Sequence, residues 1–136
     1  MTVKKEGSSV YMNQLIDSTA KTEFDTMFNN INRFALENGF KEPKKGDMLT
    51  WIIKEQVKGL SLKSAYLSSV LKPTDAEMFS QLIDKDSRKK FNLSFNDLCT
   101  YAIEEKLEKP DKGKFLTYLI KSAAKSFKSS LYFLNK

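Results

Sequence analysis

Histidine is absent from this sequence of 136 residues, and cysteine occurs once, as Cys99. Without histidine there is no Ser-His or Cys-His nucleophile and no histidine-ligated metal site. Cys99 falls on the apolar face of a predicted helix, where a packed free thiol is the expected state. The sequence also lacks a glycine-rich phosphate loop and a paired-cysteine zinc motif. These absences predict a protein that is not an enzyme and that binds no cofactor or metal.

Long apolar runs are also missing. No stretch approaches the length of a membrane span, and the polar start of the chain, residues 1–6, lacks the apolar core of a signal peptide. Together with the single cysteine, this predicts a cytoplasmic protein without a membrane partner. A chain of this length can bury a core without disulfides or metal ions.

Acidic residues are missing from the end of the chain. The formal net charge is +6, and no Asp or Glu follows Asp111. Six lysines lie beyond it: Lys112, Lys114, Lys121, Lys125, Lys128 and Lys136. A basic, acid-free stretch favours a polyanionic partner. A solvated basic face is the alternative interpretation.

One stretch of the sequence occurs twice, at residues 43–54 and 110–121. Both copies have Pro, Lys, Gly, Leu, Thr, Ile and Lys at the same places. A shift of 67 residues aligns positions 11–54 with 78–121 without a gap, and 16 of the 44 pairs are identical. Repetition at a fixed period indicates a repeated structural module. The sequence therefore predicts a tandem duplication with a seam near Lys72-Pro73.

The predicted fold is mainly α, with two tandem helical modules of about 67 residues each. Residues 1–10 are expected to form a disordered arm, residues 11–71 the first module and residues 72–136 the second. A module of this size buries a poor core alone. The two modules should therefore pack face to face about a pseudo-twofold axis, with Trp51 and Tyr118 near the shared interface.

Helices are predicted at four places in each module. A short helix runs from Tyr11 to about Ser18, and its second copy begins at the capping box in residues 74–77. Polar turns follow, at residues 19–21 and 86–88. Apolar spacing predicts the next helix over 28–36 and 95–107, with Asn38-Gly39 as a stop. The repeated stretch begins the last long helix, and further helical pieces follow at 62–71 and 128–134.

An alternating segment precedes the second of these helices. Phe91 and Leu93 interleave with Lys90, Asn92 and Ser94, which is the period-2 pattern of a short strand. The first copy, residues 22–27, alternates less well, and an extended helix start is the alternative there.

The repeated Lys-Gly pairs are candidate anion-binding positions. A helix start offers free N–H groups and the positive end of the helix dipole, and both favour phosphate. Lys45-Gly46 and Lys112-Gly113 place a cation and an unhindered backbone at two such starts. A simple turn between helices is the alternative.

The order strand, helix, turn, helix resembles the ribbon-helix-helix family of DNA-binding proteins. The resemblance is clearest over residues 89–127 and fainter over 22–60. It implies that the two copies pair their strands into an antiparallel ribbon, which enters the major groove of duplex DNA. A tandem copy would form a single-chain pseudo-dimer.

The resemblance also implies roles for individual residues. Lys90, Asn92 and Ser94 would face outward from the ribbon, opposite a first-copy strand that shows Glu23 and Asp25. The residues implied to lie at the phosphates are Lys45, Gly46, Lys112, Gly113 and Lys114, while those implied to point into the core are Phe24, Phe91 and Leu93.

A lysine row on the last helix adds a further candidate surface, made of Lys114, Lys121, Lys125 and Lys128. It suits a nucleic-acid backbone, an acidic protein or an anionic lipid surface. The expected function is duplex DNA binding, as a small regulator or a plasmid or phage accessory factor, by a monomeric pseudo-dimer or a homo-oligomer. The alternative is a non-enzymatic adaptor or inhibitor that binds a protein partner through its helical surface. Binding of single-stranded nucleic acid or RNA through the basic last helix is a third interpretation.

Overall fold

The computed structural model describes residues 9–70 and 75–126. These residues form five helices and a two-stranded antiparallel sheet. In chain order the elements are β1 (Ser9–Asp17), α1 (Ser18–Glu37), α2 (Lys45–Val57), α3 (Leu62–Ser69), β2 (Ala76–Asp84), α4 (Lys85–Glu104) and α5 (Lys112–Ser126). The mainly helical class is confirmed, and the expected disordered arm falls almost wholly outside the described residues.

The order strand, helix, helix occurs twice with a constant offset. β2, α4 and α5 each begin 67 residues after β1, α1 and α2. Both strands have nine residues, and α1 and α4 both have 20. Residues 9–70 are called the first half below and residues 75–126 the second half; positions 67 apart are called equivalent. The extra helix predicted over 62–71 is present as α3, and its predicted copy over 128–134 lies outside the described residues.

The two strands form one ribbon and pair over their whole length. Asp84 lies opposite Ser9, and Ala76 lies opposite Asp17. Alternate residues face the helices, so Met12, Ile16, Phe79 and Ile83 are buried. The ribbon is therefore half-buried, with one face on the core and the other exposed.

The strands do not lie where the sequence placed them. The segment predicted as a short helix, from Tyr11 to about Ser18, is β1, and the predicted capping box begins β2. Met12 and Ile16 are four residues apart, a spacing that fits one face of a helix and one face of a strand equally well. Gln14 and Gln81 stand between the buried apolar positions and hide the alternation. The predicted polar turns at 19–21 and 86–88 are the first turns of α1 and α4.

The segment predicted as a strand, around Lys89 to Leu93, lies inside α4. Its buried side chains follow helical spacing along Ser87, Phe91, Phe95, Leu98 and Ala102. Leu93 was expected in the core but is 53% exposed. Residues 22–27 lie inside α1, as the alternative interpretation of the first copy had it.

The core is built from both halves together. α1 lies against α5, α2 lies against α4, and each strand packs on the second helix of the other half. The ring of Phe24 meets the ring of Phe79 edge-on, with centroids 4.9 Å apart. Trp51 and Tyr118 are partly buried against this common core. Neither half is a separate packing unit, because each one completes the core of the other.

The first long helix of each half ends with the same backbone turn. At the end of α1, Gly39 has a φ of +71°, and the Phe40 N–H bonds to the Ala35 carbonyl at 2.9 Å. This is the Schellman arrangement, in which glycine takes the left-handed position cheaply. The predicted stop at Asn38-Gly39 is confirmed. At the end of α4 the left-handed residue is Lys106, with a φ of 59°.

Candidate functional site

The exposed side of the ribbon is an uncharged surface. Its six central side chains, called the outer ribbon face, are Tyr11, Asn13, Leu15, Met78, Ser80 and Leu82. The four apolar members are between 48% and 62% exposed. Asn13 and Ser80 lie opposite each other at the centre, and the Ser80 hydroxyl donates a hydrogen bond to Asn13 Oδ1. A large exposed apolar surface of this kind is typical of a binding site.

The starts of α2 and α5 flank this face. A β-carbon at Gly46 would overlap the carbonyl oxygen of Leu82, and one at Gly113 would overlap that of Leu15. Each glycine therefore allows the first turn of a second helix to touch the strand of the other half. The repeated Lys-Gly pair was predicted as a helix start, and that is confirmed. The structure adds the reason for the glycine, which is the close approach of two backbones.

The two helix starts differ in what occupies them. At α5 the Asp111 carboxylate accepts a hydrogen bond from the Lys114 N–H at 3.0 Å. At α2 the equivalent residue is Lys44, and no side chain caps the helix. The first turn of α2 therefore keeps its N–H groups for an anion, whereas α5 already has a carboxylate.

The lysines at these starts also differ. Lys45 lies 5.8 Å from the ring centroid of Phe28 and forms an ion pair with Asp25 at 3.2 Å. Lys112 lies 5.6 Å from the equivalent ring, that of Phe95. Asn92 stands at the position equivalent to Asp25, and Lys112 has no acidic partner within the described residues. The positive charge is therefore balanced in the first half and unbalanced in the second.

Three lysines predicted to bind phosphate lie further along α5. Lys114 bonds to the Asp17 carboxylate at 2.7 Å, with both side chains about four-fifths buried. Lys121 lies 3.8 Å from Glu23. Lys125 is exposed near the end of α5. Lys128 lies outside the described residues. The predicted row is thus partly occupied by ion pairs to the first half.

The ends of the ribbon are held by the repeated threonines. The Asp17 N–H donates to Thr117 Oγ1 at 3.2 Å, and the Asp84 N–H donates to Thr50 Oγ1 at 3.4 Å. Sequence reasoning assigned no role to these threonines, although their identity in both copies was a visible signal. Each one ties a strand of one half to the second helix of the other.

Asp84 has a second function at this junction. Its Oδ1 accepts the Ser87 N–H at 2.7 Å and so caps α4, while Oδ2 lies 3.1 Å from Lys54 Nζ. Burial alone would raise the pKa of the Asp84 carboxyl, but the hydrogen bonds from Ser87 and Lys54 hold the pKa below its ordinary value. The carboxylate is therefore a structural anion at the end of β2.

Lys90, Asn92 and Ser94 were wrongly assigned to the ribbon. All three lie on α4, because the helical spacing from Ser87 to Ala102 governs this segment. Lys90 pairs with Asp86 at 3.6 Å, one turn earlier on the same helix. Glu23 and Asp25 lie on α1, so neither acid belongs to the outer ribbon face. The side chains that do form this face were missed, because their strands had been read as helices.

No protein-family model, curated protein or solved structure matches this chain. None of the helices in the described residues is long and apolar enough to cross a membrane. Residues 9–70 and 75–126 bring together no group of three or more Cys, Asp or Glu that could hold a metal ion.

Proposed function

We propose that this chain binds duplex DNA by placing the outer ribbon face in the major groove. The observation that supports this most is the position of the α2 and α5 starts, one on each strand of an exposed two-stranded ribbon. The major groove accepts a two-stranded ribbon. Helix starts beside the ribbon are suited to the flanking phosphates. The arrangement resembles that of ribbon-helix-helix proteins, formed here within one chain.

Tandem duplication, with a pseudo-twofold relation between the halves, is part of this proposal. It is supported by the offset of 67 residues and by the ribbon pairing. Asn13 and Ser80 are equivalent positions, and they lie opposite each other. An antiparallel pair in which equivalent residues meet has a local twofold axis between them. A groove-reading ribbon centred there would cover two similar halves of a DNA site.

The chemistry of the outer ribbon face suggests which bases it suits. Asn side chains pair with the N6 and N7 atoms of adenine, and apolar side chains contact the thymine methyl group. Asn13 lies between Tyr11 and Leu15 on β1, and no Arg or Lys is present on this face to pair with guanine. We therefore propose a preference for A·T base pairs at the centre of the site.

A protein partner is the second candidate, favoured by the apolar character of the same face. Tyr11, Leu15, Met78 and Leu82 together resemble the centre of a protein interface more than a typical polar surface. In that case the chain would be a non-enzymatic adaptor. Its binding would depend little on salt, because buried apolar area rather than phosphate contact would supply the affinity.

Fluorescence anisotropy with a labelled duplex separates these functions. The probe is about three helical turns long, or about 30 base pairs, in an A·T-rich and a G·C-rich version. We expect tighter binding to the A·T-rich duplex and a linear fall of log K with log salt concentration. Absence of binding at about 50 mM salt would contradict DNA binding. Stoichiometric capture of one protein, unaffected by nuclease and by added salt, would support the adaptor instead.

A further inference from the structure

The first turns of α4 present a row of cations without acidic partners. Lys85, Arg88 and Lys89 are exposed and lie at helix positions i, i+3 and i+4, so they share one face. None of them forms an ion pair with any other described residue. Lys112 at the start of α5 extends the row, since it lies over Phe95 of α4 at 5.6 Å. These four cations are called the cation stripe below.

Neighbouring acids do not neutralise this stripe. Asp86 lies 3.9 Å from Lys54 and 3.6 Å from Lys90. Asp111 precedes Lys112 in the chain, but its carboxylate accepts a backbone N–H of α5. Both acids already have partners, so the stripe keeps its full charge for an external anion.

The equivalent positions of the first half carry no such surface. Lys85 and Lys89 are replaced there by Ser18 and Thr22. Arg88 is replaced by Lys21, which pairs with Glu77 at 3.3 Å. Lys112 is replaced by Lys45, which pairs with Asp25 at 3.2 Å. An otherwise repeated architecture therefore has unbalanced positive charge on one side only.

The stripe runs beside the ribbon. Lys85 follows β2 directly, at the end where Asp84 lies opposite Ser9. Lys112 precedes Gly113, which touches the Leu15 carbonyl towards the other end. Ten residues of helix separate Lys85 from Phe95, which corresponds to about 15 Å. The cations thus span a large part of one flank of the outer ribbon face.

We propose that the cation stripe binds the sugar-phosphate backbone of duplex DNA on the second-half side of the ribbon, so that the two similar halves hold DNA unequally. This inference rests on the proposed duplex binding and adds an asymmetry to it. The first half offers phosphate the uncapped start of α2, whereas the second half offers Arg88, Lys112 and their neighbours. Side-chain cations replace, on that side, a helix start that Asp111 already occupies.

Two double variants at equivalent positions test the stripe. Arg88→Gln with Lys112→Gln removes two unpaired cations, and Lys21→Gln with Lys45→Gln removes two paired ones. Both changes lower the net charge equally and leave the ribbon intact. The measurement is the slope of log K against log salt for the duplex of about 30 base pairs. Thermal unfolding of each variant checks that the fold is retained.

We expect the first variant to flatten the slope by about 2, since each lost phosphate contact contributes about 0.9. The second variant should change it by clearly less than one contact. Equal effects of the two variants, or no effect of either while the wild type binds, would overturn the stripe and leave the proposed function standing. A wild type that binds no duplex would overturn both. Backbone protection in hydroxyl-radical footprinting should extend further on one side of the site centre, and symmetric protection would also overturn the stripe.

Discussion

Asn13 and Ser80 face each other at the centre of the ribbon, and the two positions are 67 residues apart. The Ser80 hydroxyl donates to Asn13 Oδ1 across the pair. The same offset separates the starts of all three repeated elements. One number therefore describes the sequence repeat, the order of elements and the centre of strand pairing, which places these two side chains at the middle of the exposed face.

The glycines beside the ribbon should be intolerant of any side chain. Gly46→Ala and Gly113→Ala each place a methyl group on a strand carbonyl. Because the obstacle is backbone, we expect a loss of about 2–3 kcal/mol in the free energy of unfolding in urea. Gly39→Ala is the control, since a β-carbon there meets nothing within 4 Å. Only its left-handed φ opposes alanine, so a loss of about 1 kcal/mol is expected. A smaller loss at Gly46 and Gly113 than at Gly39 would contradict the close approach.

The end of α4 should be improved by glycine. Lys106 has a φ of 59°, where a β-carbon is unfavourable. Lys106→Gly should raise the free energy of unfolding by about 0.5–1 kcal/mol, after the added freedom of the unfolded chain is included. The reverse change, Gly39→Lys, should lower it by a similar amount. Urea unfolding measures both, and a destabilising Lys106→Gly would show that the Lys106 side chain makes a compensating contribution.

The Asp84 junction should make stability depend on pH in the acid range. The folded-state pKa of Asp84 lies below the ordinary value of 3.8. Its contribution is therefore present above that value and is lost as the pH falls through the lower folded pKa. Asp84→Asn keeps a capping oxygen but loses the charge, so we expect a loss of up to about 1 kcal/mol at neutral pH. The gap between wild type and variant should close on acidification, and a gap that stays constant down to strong acid would contradict the assignment.

Lys114 should act on stability rather than on DNA affinity. It was predicted to bind phosphate, but it pairs with Asp17 at 2.7 Å in a largely buried position. Lys114→Gln leaves the Asp17 carboxylate without its cation, and we expect a loss of about 1–2 kcal/mol in unfolding free energy. The salt slope of DNA binding should not change. A flattened slope with unchanged stability would return Lys114 to the DNA surface.

The sequence was sufficient for the features that depend on local signals. The repeated Pro-x-Lys-Gly segment marked the starts of α2 and α5, and Gly39 marked the end of α1. Strand positions were lost because the inward residues of β1, Met12 and Ile16, are separated by the polar Gln14. Strand and helix share a four-residue spacing, and only the pairing of β1 with β2 decides between them.

The candidate site was predicted in part. The helix starts were located, because their signal is local. The outer ribbon face could not be found, since it depends on the strands. The stripe was missed for a different reason: whether a lysine is free or paired depends on the partner that folding supplies. Lys45 and Lys112 look alike in the sequence, but only Lys45 meets an acid.

The most direct test of the account is Asn13→Asp, which adds a carboxylate at the centre of the outer ribbon face with almost no change of shape. Asn30→Asp is the matched control, because Asn30 is exposed on α1 and its equivalent residue is Asp97. Anisotropy with the A·T-rich duplex should show binding weakened at least about tenfold by Asn13→Asp, since a like charge facing DNA costs about 1.4 kcal/mol or more. Asn30→Asp should bind as the wild type does. Equal duplex affinity of the wild type and a stably folded Asn13→Asp would contradict the claim that this face reads DNA.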